Sequence, residues 1–84
     1  MIKIAVCDDE QRFVEQIKKI LVEYGTEIQA DIRVSEFYDG VMLLDKYECR
    51  YDIIFLDIKM PYIDGVEVAE KIRDRDPEVT IIFL

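Results

Sequence analysis

Short runs of consecutive apolar residues alternate along this chain with stretches in which apolar positions recur every three or four residues. Ile2, Ile4, Ala5 and Val6 form the first run, which ends at the acidic Asp8-Asp9-Glu10. Such a run predicts a strand buried on both faces. Phe13, Val14, Ile17, Ile20, Leu21 and Tyr24 follow at the spacing of one helix stripe, with Gly25 as the expected stop. Ile28, Ala30, Ile32 and Val34 alternate with polar residues, which predicts a strand near a sheet edge. Asp39 then serves as the cap of a short helix carrying Val41, Leu44 and Tyr47. Ile53-Ile54-Phe55-Leu56 is a second fully apolar run, and it ends at Asp57. After a loop, Asp64 opens a third helix with Val68, Ala69 and Ile72 on one face, and Asp76-Pro77 breaks it. Thr80 to Leu84 make a last apolar strand. The order βαβαβαβ predicts an α/β fold: a doubly wound parallel sheet with right-handed crossovers and helices on both faces.

Composition narrows the functions open to such a fold. Eighty-four residues are one domain at most, and a chain of this size buries only about 60–65% of its unfolded surface. The formal charge of −8 repels phosphate backbones, so direct nucleic-acid binding by this segment is not expected. With no histidine, zinc sites and histidine catalysis are disfavoured. Cys7 and Cys49 match no metal spacing, and Cys7, inside an apolar run, reads as a buried thiol. The N-terminal run is too short and too acidic in its continuation for a signal peptide, and no stretch approaches the ~18 apolar residues of a membrane span. The expectation is a reduced cytoplasmic protein with no membrane partner.

The chemistry lies in the acids. Ligands of open parallel sheets bind beyond the carboxyl ends of the strands. Asp8 and Asp9 follow the first strand and Asp57 the third, so neighbouring strands would bring three carboxylates to one edge. Like charges packed there repel unless a partner is present. A hard divalent cation such as Mg²⁺ relieves that repulsion and offers a place for phosphate oxygens. An aspartate beside it can act as a nucleophile and form an acyl phosphate. Each acid taken alone has a plainer reading. Asp9 or Glu10 could cap the first helix, and Asp57 could open a turn. Both readings stand at this point.

The chain resembles the receiver domains of two-component response regulators. The matching residues are Asp8-Asp9, then Phe55-Leu56-Asp57-Ile58-Lys59-Met60-Pro61, then Asp64-Gly65. The run Tyr51 to Leu56, with Ala69, Arg73 and Ile81 to Leu84, is most similar to regulators with a LytTR-type output domain. The resemblance implies a flavodoxin-like receiver fold over residues 1–84. It implies Asp57 as phospho-acceptor for a sensor histidine kinase, with Mg²⁺ held by Asp9, Asp57 and the backbone carbonyl of Lys59, and by Asp8 through water. Met60, Pro61 and Gly65 would shape the loop: Pro61 fixes φ and removes an N–H, and Gly65 allows close backbone approach. Met42, Leu43 and the tyrosines read as packing residues.

Complete receivers have five strands and five helices, and this chain ends at its fourth strand. The Ser/Thr, aromatic and Lys positions that follow in the family lie past Leu84, as does any output domain. The expectation is therefore the N-terminal portion of a longer regulator, or a chain that self-associates through an exposed Thr80–Leu84 edge. Two alternatives to a phospho-accepting module remain. One is a Mg²⁺-dependent phosphohydrolase, disfavoured because Lys59 stands where dehalogenase-like phosphatases carry a second Asp. The other is a truncated receiver acting only as an interaction domain.

Overall fold

The structure, a computed structural model, describes residues 1–84. Its elements are β1 (Ile2–Cys7), α1 (Gln11–Glu27), β2 (Ile32–Phe37), α2 (Gly40–Lys46), β3 (Ile53–Leu56), α3 (Gly65–Arg75) and β4 (Thr80–Phe83). All strand pairs are parallel, and the sheet order is β2-β1-β3-β4. Winding runs from β1 out to β2, then back across β1 to β3. A right-handed crossover in each direction places α1 on one face and α2 and α3 on the other.

The side chains divide accordingly. Ala5, Cys7, Ile54 and Leu56 point to one face and pack with Leu43 of α2, Val68 and Ile72 of α3, and Phe37 and Val79. Ile4 and Val6 point to the other and pack with Val14 of α1, flanked by half-buried Ile17, Leu21, Ile53 and Phe55. A strand covered on both sides has no polar face, which explains the unbroken apolar runs over residues 4–7 of β1 and Ile53–Leu56 of β3.

Several expectations are corrected. Gly25 does not stop α1, which continues to Glu27 and ends at Ile28. There the amide of Ala30 donates to the Gly25 carbonyl at 2.8 Å and that of Gln29 to Thr26 at 3.3 Å, with Gln29 at φ 56°. This is a Schellman closure whose left-handed position is a glutamine. Gly25 is buried instead for want of space: a Cβ would lie 3.0 Å from the Ala30 carbonyl oxygen and 3.1 Å from the Ile32 side chain. Ile28 and Ala30 fall in this turn, and only the later half of the alternating stretch is strand. That strand does lie at a sheet edge. Ile20 and Tyr24 of the α1 stripe face outward, as does Val41 of α2, where Leu43 takes the buried place. A helix touching the sheet along one line buries a narrower strip than its apolar stripe.

The ends of α2 and α3 are joined by a polar clasp. The Tyr47 hydroxyl donates to Asp76 Oδ2 at 2.6 Å, beside an edge-to-face Phe37–Tyr51 pair with ring centroids 6.4 Å apart. Burial, then the Asp76 bond, raises the Tyr47 phenol above its ordinary value. The folded state thus holds this proton more tightly than the unfolded chain. Its contribution is complete below the ordinary tyrosine pKa of 10.0 and is lost as pH rises beyond it. Tyr47→Phe is expected to cost about 1 kcal/mol at neutral pH and to flatten the alkaline limb of the stability curve. Urea unfolding at neutral and alkaline pH reads both effects.

Candidate metal and phospho-acceptor site

Strand register builds the acidic edge. Cys7 and Leu56 are Cα partners across β1 and β3, so the residues that follow them, Asp8 and Asp57, leave the sheet side by side. The Asp57 amide donates to the Cys7 carbonyl at 2.9 Å, which ties the two exits together. This is where the winding direction reverses, between β1 and β3, and where open α/β sheets form their ligand crevice.

Carboxylate oxygens of Asp8, Asp9 and Asp57 lie within 4.8 Å of one another, with Asp8 buried, Asp57 half-buried and Asp9 exposed. The plainer cap reading is not what the geometry shows. Glu10, at the N-cap of α1, makes no side-chain cap bond, while the carboxylates that do cap helices are Asp39, accepting from the Met42 amide, and Asp64, accepting from the Glu67 amide. One Asp8 oxygen accepts the Glu10 amide at 2.9 Å. Burial raises the Asp8 pKa against that bond, helped by the charges of Asp57 and Asp9. The ion pairs of the fold are Lys18–Glu36, Arg33–Asp31 and Arg50–Glu48, none of them at this edge. Three oxygen-donor groups with no protein cation among them suit a hard divalent ion.

The loop after Asp57 is held closely. The Gly65 amide donates to the Ile58 carbonyl at 2.7 Å. A Cβ on Gly65 would overlap the Asp57 carbonyl oxygen and come within 2.9 Å of the Ile58 Cα. No glycine here has a positive φ, so Gly65 serves close approach alone. Between these anchors the Ile63 amide bonds back to the Pro61 carbonyl at 2.9 Å around Tyr62, whose φ is 72°. That is a γ-turn of the rarer, strained hand, carried by a tyrosine that is 88% exposed. Tyr62→Gly is expected to stabilise the fold by about 1 kcal/mol, since glycine enters this region freely. A thermal unfolding midpoint that stays level or falls would count against strain at this turn.

Sequence reasoning grouped Asp8, Asp9 and Asp57, and the fold brings them together. It did not distinguish the buried Asp8 from the exposed Asp9, which depends on how the chain turns after β1. It also missed the sulfur contact beneath the loop. Cys7 Sγ lies 3.7 Å from Met60 Sδ and 3.4 Å from the Asp39 carbonyl oxygen, so Met60 seals the core under Asp57 in addition to shaping the loop. Burial and then the nearby acids, Asp39 first, push the Cys7 thiol up to about 12, and it stays a neutral packing group. Lys59 is exposed.

The chain is thus a doubly wound parallel α/β domain with an acidic crevice at the carboxyl edge of its sheet. Residues 4–84 match the family model of the response regulator receiver domain. The chain belongs to that family. It is 38% identical over 84 residues to the transcriptional regulatory protein DegU of Brevibacillus brevis, covering 99% of this chain and 34% of that protein. It is 34% identical to the chemotaxis protein CheY of Listeria monocytogenes, covering 99% of this chain and 66% of the other. The response regulator TrrA of Thermotoga maritima, solved in complex with Mg²⁺-BeF, superposes with a TM-score of 0.86 at 36% identity, over 99% of this chain and 68% of that one. The chain thus spans between a third and two thirds of the curated relatives named here. No helix is long and apolar enough to cross a membrane.

Proposed function

We propose that Asp57 accepts a phosphoryl group from the phosphohistidine of a sensor histidine kinase, in a reaction that requires Mg²⁺. The observation that carries this reading is the convergence of three carboxylates within 4.8 Å, with Asp57 partly open to solvent. Asp9 and Asp57 would hold the ion directly and Asp8 through water, the Lys59 carbonyl completing the protein ligands. When bound, the ion neutralises the clustered charge and gives phosphoryl oxygens a place to rest. An Asp57 carboxylate oxygen forms the new O–P bond as the donor's N–P bond breaks, and the released imidazole nitrogen takes up a proton. The chain positions the nucleophile through the Asp57 amide bond to Cys7 and the closed 58–65 loop. The domain acts as a regulatory module, not as an enzyme turning over external substrates. Phosphorylation shifts the balance of two conformations, read by an output domain that, as in the DegU relative, acts on transcription. Free Cys7 and Cys49 accord with a reduced cytoplasmic setting.

Treatment with acetyl phosphate and Mg²⁺, followed by peptide mapping, tests this. One hydroxylamine-labile phosphoryl adduct is expected, on the peptide containing Asp57 and dependent on the divalent ion. An adduct at another carboxylate, or the same yield in chelator, would overturn the assignment.

A further inference from the structure

The two ends of this sheet differ in charge: bases, paired in part with acids, gather at the amino end. The carboxyl edge holds the acids already described. The amino edge opens into a cleft of about 360 Å³ between the starts of β1 and β2 and the segment joining α2 to β3. Lys3, Arg33 and Arg50 line it, against the single acid Glu48, with the hydroxyl-bearing Ser35 and Tyr51. In a chain of 11 bases against 19 acids, three bases around one concavity stand out. Lys3 and Arg33 are Cα partners across the β1–β2 pair, so two like charges sit side by side, an arrangement that weakens a sheet unless an anion is shared.

The protein's own carboxylates answer this only in part. Arg33 is bonded by Asp31 and Arg50 by Glu48, both through pairs whose side chains are more than half exposed. Such pairs are readily exchanged for a better partner. The Asp52 carboxylate is engaged by the Lys3 backbone amide at 2.8 Å, and the Lys3 ammonium takes part in none of the ion pairs of the fold. Scattered surface bases are ordinarily just solvated. Here the concavity, the in-register pair and the unpaired ammonium coincide.

We propose that this cleft binds the oxyanion group of a small molecule, phosphate before carboxylate. Guanidinium forks and a lysine point charge match phosphate oxygens, the two hydroxyls supply neutral hydrogen bonds, and the volume is that of a small-ligand site. Lys3 precedes Asp8 by five residues, about 16 Å along a strand. The cleft is therefore separate from the acceptor edge, and the proposal does not depend on phosphorylation of Asp57.

The test is an amide NMR titration of the Asp57→Asn protein, without divalent ions and at constant ionic strength, first with inorganic phosphate and then with acetate. Saturable shifts are expected at Lys3, Arg33, Ser35 and Tyr51, stronger for phosphate. Lys3→Gln with Arg33→Gln should weaken binding by about tenfold or more. Arg50→Gln, which leaves both strands intact, should weaken it as well. Acetate binding as tightly as phosphate would retain the site and assign it to carboxylates. Shifts that never saturate, shifts centred on Asp9 and Asp57's neighbours, or unchanged binding in the folded variants would overturn the proposal.

Discussion

Asp57→Asn is expected to abolish phosphoryl uptake while leaving the fold intact. Asparagine has the same shape, so the register that sets Asp57 beside Asp8 and the amide bond to the Cys7 carbonyl should persist. What is lost is the only nucleophilic oxygen pair in the trio that points from β3. The change also removes one of three negative charges crowded within 4.8 Å. In metal-free solution the variant should therefore be more stable than the parent, by about 1 kcal/mol, while its stabilisation by added Mg²⁺ shrinks. Asp9→Asn should behave differently: uptake slows because the ion is held less well, yet the adduct still forms on Asp57. Mass spectrometry with acetyl phosphate, paired with thermal melts across a Mg²⁺ series, separates the two. A phosphoryl adduct persisting in Asp57→Asn would sink the assignment.

Gly65→Ala should have the largest effect on folding. The added methyl would overlap the Asp57 carbonyl oxygen and crowd the Ile58 Cα. Both are backbone atoms, which cannot swing aside as a flexible side chain can. Relief requires α3 to move away from β3, breaking the Gly65–Ile58 bond and disturbing Val68 and Ile72, both fully buried. Overpacking at such a contact costs about 3 kcal/mol. Only 16 of 84 residues are buried, so the reserve of stability is small, and a loss of that size is a large part of a typical total. Urea unfolding followed by circular dichroism should show a markedly lower midpoint. A midpoint near that of the parent would mean that the close approach at Gly65 is not rigid.

Elements with strong local signals were legible from the residues alone. Residues 4–7 of β1 and all of β3 are unbroken apolar runs because both sheet faces are covered there, and Asp39 and Asp64 stand where helices begin and cap them. The break at Asp76-Pro77 was legible too, since a proline bars its predecessor from helical geometry. The end of α1 was not. Gly25 resembles a stop, but the chain uses its missing side chain to bring β2 close and leaves the left-handed position to Gln29. Nothing local distinguishes a glycine that ends a helix from one that lets a strand pass near it. The same holds for Tyr62, whose strained turn arises from anchors on either side and not from any preference of tyrosine.

Amino-acid order by itself determined the alternation of strands and helices, the placing of Asp8, Asp9 and Asp57 at strand ends, and hence an acidic edge, because periodicity and caps act within a few residues. Only the tertiary structure decided which acid is buried, which apolar residues of α1 and α2 face water, and how Met60 and Cys7 close the floor beneath Asp57. It also decided that Lys3 and Arg33, thirty residues apart in sequence, share one cleft. Those outcomes depend on register between distant strands, which no short window of sequence contains.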